Sequence, residues 1–246
     1  MNNITIRQAK ETSEGDSVEV KRLFPVPGNQ GCMNYDPFVL WDHFDVKPGS
    51  GFPDHPHRGF EAITYMFTGS MKHTDNLGNE SRVPAGGAQR FTAGKGIVHS
   101  EMPGSEGSNN GIQLWINLPR QLKKSDPDYQ EVMPEEIHEE VSAGITMRTI
   151  AGKNSPLKLL TTVEYIEIRM KSGSVFTKQI AKDMRGFIYL VSGGLEVEGE
   201  QVNKSDAAFL ENVDSVTIKA QEDSHFMFCA GLPHKEPIKQ WGPYVD

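Results

Sequence analysis

Residues 61–94 read EAITYMFTGSMKHTDNLGNESRVPAGGAQRFTAG, and residues 186–220 read GFIYLVSGGLEVEGEQVNKSDAAFLENVDSVTIKA. Each opens on an apolar strand pattern, turns at glycine, runs through a short strand and a glycine-bearing turn, and returns into further strands. Short β-branched and aromatic runs punctuated by Gly, Pro and Asn specify antiparallel strands and hairpins. Two copies of one strand order predict a duplicated, all-β chain of two barrels. The runs GIQLWINLP, YIEIRM and VFTKQI continue the pattern. Helical periodicity is confined to SDPDYQEVMPEEIHEEV at 125–141 and HKEPIKQWG at 234–242, where short helices are expected. The polar stretch 123–141 reads as a linker, dividing the chain into residues 1–130 and 131–246.

The composition is that of a globular protein, with 37% apolar and 24% charged residues among 246. A formal charge of −8 argues against sequence-independent attraction to nucleic acid. Cys32 and Cys229, the two cysteines, are too few for a disulfide framework. No run approaches the roughly 18 apolar residues of a membrane helix, and the N-terminal stretch carries no signal-like apolar segment. A cytoplasmic monomer that binds neither membrane nor nucleic acid is expected, with a nuclear location open in a eukaryote.

The chemistry is concentrated in GSGFPDHPHRGFE at 49–61 and GIVHSEMP at 96–103. If residues 54–61 form one strand, alternation puts His55, His57, Gly59 and Glu61 on one face, and likewise pairs His99 with Glu101. Pro56 is compatible with a strand edge. Imidazoles and carboxylates facing a barrel interior carry a desolvation cost that metal coordination offsets. Both Glu61 and Glu101 are candidates for the carboxylate. In the second half, Thr177 and Gln179 occupy the corresponding positions, so no metal is expected there.

FPDHPHRGFEAITYMFTG, QRFTAGKGIVHSEMP, GIQLWINLP, DPFVLWDHF and FCAGLPHKEPIKQWGPYV together resemble the signature segments of the pirin family, whose members are bicupins: two cupin barrels in one chain. The resemblance implies that His55, His57, His99 and Glu101 ligate one Fe(II) in the N-terminal barrel, other divalent transition metals being chemically compatible. It favours Glu101 over Glu61 as ligand, and leaves Glu61 to orient an imidazole or Arg58. The usual third cupin histidine falls here on Gln89, so His99 must replace it. Two functions follow from the resemblance: a quercetin 2,3-dioxygenase that opens a flavonol with O2 and releases carbon monoxide, Glu101 taking the substrate proton, or a redox-dependent regulatory partner of transcription factors or metabolic enzymes. Family members commonly continue past the GPYV segment into a helical region, so the resemblance implies a short member or a sequence that stops early.

Other residues are expected to be structural. His73 and Asp75, beside the Gly-Asn turn, are expected to be solvated, the alternative being a place in the cleft or behind a metal ligand. His43 is expected at the barrel entrance, and His225, Met227 and Cys229 in barrel packing. His138 and His234 fall in the linker and tail. Met66, Phe67 and Met102 are equally candidates for an apolar wall around the metal and for the core.

Overall fold

The computed structural model describes residues 4–27 and 33–246; Cys32 lies outside them. Two compact units emerge, and neither is one continuous segment. The histidine-bearing unit comprises Lys10–Glu136, Pro156–Thr161 and His234–Asp246; the other comprises residues 4–9, Ile137–Ser155 and Thr162–Pro233. A cut at 130/131 therefore misassigns the first strand, Ile4–Gln8. It pairs antiparallel with Asp206–Leu210, from Ile4 opposite Leu210 to Gln8 opposite Asp206, a non-local partnership that no local sequence pattern announces.

Each unit is built from one seven-stranded and one four-stranded sheet. In the histidine-bearing unit the larger sheet runs Asp128–Val132, Ala88–Thr92, Phe60–Thr68, Asn109–Asn117, Phe38–Val46, Val18–Phe24, Lys10–Glu14. The smaller runs Phe52–His57, Ile97–Pro103, Ser70–Asp75, Glu80–Pro84. The other unit repeats this order strand for strand, with Val175–Gln179 in the place of Phe52–His57 and Ser215–Ala220 in that of Ile97–Pro103. The cross-strand pair His55/His99 is thus replaced by Thr177/Thr217.

The strands follow from alternation. In Val163–Met170, Ile166, Ile168 and Met170 point into a core shared with Ile188, Leu190, Phe226 and Phe228. Phe226 and Phe228 are fully buried, each worth about 1.5–3 kcal/mol of apolar transfer. Residues 125–141 form more than a linker: Asp128–Val132 extends the larger sheet beside Ala88–Thr92, and Arg90 holds Asp128 at 2.8 Å.

Among the described residues the only helical turns are the 3-10 segments Arg120–Leu122 and Pro134–Glu136. The helix expected at 234–242 does not form. Pro233 and Pro237 remove backbone donors, and Gly242, at φ +55°, turns the chain into a hairpin of Gln240–Trp241 with Tyr244–Val245. Val245 is fully buried and donates its backbone N–H to the Arg58 carbonyl at 3.1 Å.

That docking requires glycine at position 59. Gly59 has φ +85°, and a Cβ there would lie 1.8 Å from the Val245 carbonyl oxygen. Gly59→Ala is expected to cost about 2–4 kcal/mol, the sum of left-handed strain and overpacking, read as a lower urea midpoint.

Candidate metal centre

Gly59 also ends the strand carrying the first two histidines. Phe52–His57 belongs to the smaller sheet, and the chain resumes in the larger one at Phe60. The parity linking His55 and His57 to Glu61 is broken there, and Glu61 faces elsewhere. Its fully buried carboxylate accepts bonds from Thr92 Oγ1 (3.0 Å), the backbone N–H groups of Leu160 (2.9 Å) and Thr161 (3.1 Å), and Thr161 Oγ1 (2.8 Å). Glu61 clasps the 156–161 segment and orients neither an imidazole nor Arg58. The Arg58 guanidinium instead pairs with Asp246 at 3.1 Å and lies 4.3 Å from the Tyr244 ring centre.

His55 and His57 stand on an edge strand, which accommodates Pro56. Ile97–Pro103 lies beside it, placing His99 opposite His55 and Ile97 opposite His57. His99 and Glu101 both face inward and are buried. One ligating atom from each of His55, His57 and His99 lies within 4.8 Å of the others. His99 Nε2 is 3.1 Å from His55 Nε2, close to the roughly 3 Å separating adjacent nitrogens that each sit about 2.1 Å from one metal.

The outer nitrogens are committed elsewhere. His55 Nδ1 donates to the Pro53 carbonyl at 2.7 Å and His57 Nδ1 to the Pro243 carbonyl at 3.2 Å. A carbonyl only accepts, so both rings carry a proton on Nδ1, and Nε2 is the nitrogen left to face a metal. Pro243 sits in the terminal hairpin, which is how the Gly59 docking reaches the site. His57 is packed by Phe91 (5.5 Å, stacked) and by Phe60 and Trp115 edge-on. Burial, then the neighbouring His55, pushes its pKa down to about 3, against the Pro243 bond. Burial and the other imidazoles likewise hold His99 well below its usual range. Imidazoles whose Nε2 atoms converge in this way are a donor set that a cation completes. Nitrogen donors without thiolate suit iron, manganese, nickel, copper or zinc.

Glu101 is not part of this three-histidine cluster. Its Oε1 accepts from Thr64 Oγ1 (2.8 Å) and Gln89 Nε2 (2.5 Å), and its Oε2 from Gln113 Nε2 (2.7 Å). Gln89, at the usual cupin histidine position, thus serves as a donor to the carboxylate. Tyr129 OH in turn donates to Gln89 Oε1 at 3.1 Å.

The expectation that His73 and Asp75 are solvated is corrected: both side chains are fully buried. Asp75 satisfies the turn itself, accepting from the backbone N–H groups of Leu77 (2.9 Å) and Asn79 (3.0 Å). Burial opposes its ionisation, yet bonds from His73, Asn79 and Leu77 hold its carboxyl below the usual range. His73 stacks on Tyr129 at 4.2 Å and reaches His99. The inward parity of Ser70–Asp75 was the available signal.

A cavity of about 690 Å³ opens onto His55, His57 and Glu101, within the roughly 300–1,000 Å³ of small-molecule sites. Its apolar wall is Leu40, Phe44, Phe52 and Trp115. Met66, Phe67 and Met102 do not line it. Met66 is buried in a core with Val18 and Val20, and Met102 is solvent-exposed.

A family model described as Pirin matches residues 17–116, and one described as Pirin C-terminal cupin domain matches residues 165–246. The chain belongs to the pirin family. This pirin is 37% identical over 254 residues to a pirin-like protein of Caulobacter vibrioides, covering 98% of this chain and 91% of that protein. Its fold is similar to a solved quercetin 2,3-dioxygenase from Acinetobacter baumannii, with TM-score 0.88, 25% identity, and 98% and 90% of the two chains covered. It is also similar to a bacterial pirin from Escherichia coli solved with nickel(II), with TM-score 0.77, 25% identity, and 94% and 99% covered. The two units of this pirin are the two cupin barrels of a bicupin, and the three-histidine cluster makes it a metal-binding cupin.

Proposed function

We propose that this pirin holds one ferrous ion at His55, His57 and His99, and that it is a quercetin 2,3-dioxygenase, opening the central ring of a flavonol with O2 and releasing carbon monoxide. The observation that carries this reading is the convergence of three imidazoles, two of which, His55 and His57, stand with Glu101 at the wall of a cavity of about 690 Å³. The relative from Acinetobacter baumannii, named as such a dioxygenase, supports the reaction class.

Bound there, ferrous iron would supply the Lewis acidity and one-electron chemistry needed to bring dioxygen and a closed-shell flavonol together. The chain's own contribution is binding and proton handling. Leu40, Phe44, Phe52 and Trp115 offer apolar surface to a flat aromatic substrate. Glu101 lines the same cavity beside His55 and His57 and is the proton acceptor assigned here to the flavonol 3-hydroxyl. Its Oε2 carries one bond, from Gln113, and has capacity for another. Thr64 and Gln89 meanwhile fix Oε1. A turn of this carboxylate toward the imidazoles would let it serve as the fourth ligand.

Iron-loaded protein mixed with quercetin in air is expected to bleach the flavonol band and release carbon monoxide; metal-free protein is expected to do neither. Metal binding without turnover would favour the regulatory reading, in which the metal's state alters a protein-binding surface. Glu101→Gln should lower kcat/KM by about 100-fold or more, the usual worth of a general base. A Glu101→Gln variant that keeps its metal and turns over quercetin at the full rate would refute the assigned proton transfer.

A further inference from the structure

Among the three imidazoles, His99 differs in what its outer nitrogen meets. His55 and His57 each bond a backbone carbonyl, whereas His99 Nδ1 lies 3.4 Å from Nδ1 of His73. His73 Nε2 lies 3.0 Å from Asp75 Oδ2. The chain of contacts is buried throughout, and its directions follow from acceptor chemistry. Asp75 receives N–H groups from Leu77 and Asn79 as well as from His73, so its carboxylate acts only as an acceptor. His73 Nε2 therefore carries a proton and donates it. In the Nε2–H tautomer that Asp75 selects, Nδ1 of His73 carries a lone pair, which accepts from the Nδ1–H of His99. That leaves Nε2 of His99 unprotonated, facing Nε2 of His55.

We propose that His73, anchored by Asp75, is a positioning residue that holds His99 in its Nδ1–H tautomer and aims its Nε2 at the metal. This inference rests on the three-histidine metal site proposed above and is independent of the reaction carried out there. Tyr129, stacked on His73 at 4.2 Å and 15°, fixes the plane of the relay ring. Carboxylate or carbonyl partners on the outer nitrogen of a ligating imidazole commonly set its tautomer and basicity; here a second imidazole is interposed between carboxylate and ligand.

The test uses cobalt(II) as the probe, with affinity measured by chelator competition and coordination read from the visible d–d bands. His73→Phe keeps a flat ring against Tyr129 but removes the acceptor, and is expected to weaken cobalt binding by about 10–100-fold with altered band positions. His73→Asn places a carbonyl oxygen near the position of Nδ1 and is expected to restore affinity to within about threefold of wild type, the range left when an acceptor is replaced by another of similar geometry. Asp75→Asn offers His73 a donor in place of an acceptor and is expected to weaken binding at least as much as His73→Phe. Thermal melting of the metal-free variants checks that each is folded. His73→Phe binding as wild type does, or His73→Asn behaving no better than His73→Phe, overturns the relay and assigns His73 to packing. A wild-type chain that takes up no cobalt overturns the metal site itself, and the relay with it.

Discussion

His99→Ala is expected to lower transition-metal affinity by more than about 100-fold, since losing a partner one bond further out already costs about 10–100-fold. The reason is geometric. His99 is buried between His55, 3.1 Å away through facing Nε2 atoms, and His73 on its other side. Without it, His55 and His57 remain as two imidazoles on one edge strand, too few to hold a metal against water and chelators. Glu101 is bonded by Thr64, Gln89 and Gln113, so recruiting it would mean breaking those contacts. The fold should survive, because the hydrogen-bonded ladder on both sides of Ile97–Pro103 is made by backbone. Equilibrium dialysis of wild type and variant against the same free metal concentration reads the difference directly.

Glu61→Ala is expected to act on stability and leave metal binding nearly unchanged. The alanine variant strands the N–H groups of Leu160 and Thr161 and the hydroxyls of Thr92 and Thr161, all of which point at the buried carboxylate. Bonds to a charged acceptor are worth about 1.5–3 kcal/mol each, but the partners share the loss through relaxation and water entry. A total of about 3–5 kcal/mol is expected, at the upper end for single substitutions. Glu61→Gln should cost about half as much, because one oxygen remains to accept while the new amide faces a donor. Denaturant midpoints and metal titrations on both variants separate the two roles. A metal affinity that collapses in Glu61→Gln would return Glu61 to the ligand set.

The fold was legible where periodicity alone decides it. YIEIRM alternates because one face packs on Phe226 and Phe228, and the duplicated strand order survives in both sheets of each barrel. His55, His57 and His99 were legible because in-strand parity and a second histidine segment point to the same interior. What escaped was non-local or conformational. The exchange of Ile4–Gln8 into the second barrel depends on a partner some 200 residues away. Alternation groups Glu61 with the histidines only along one continuous strand, and the left-handed Gly59 breaks that strand two residues earlier. His73 and Asp75 border a turn, a place that suggests solvation, yet the Asp75 carboxylate satisfies the turn's N–H groups from inside. The terminal segment lost its expected helix to two prolines and to the burial of Val245.

The central claim is that three converging imidazoles hold a single redox-active metal. The most direct measurement is elemental analysis of protein purified without added metal or chelator, with X-ray absorption at the edge of the metal found. The account predicts close to one iron per chain, with nitrogen-dominated coordination at about 2.1 Å and no sulfur. Less than a tenth of an equivalent of any transition metal, unchanged after incubation with ferrous iron under anaerobic conditions, would contradict it.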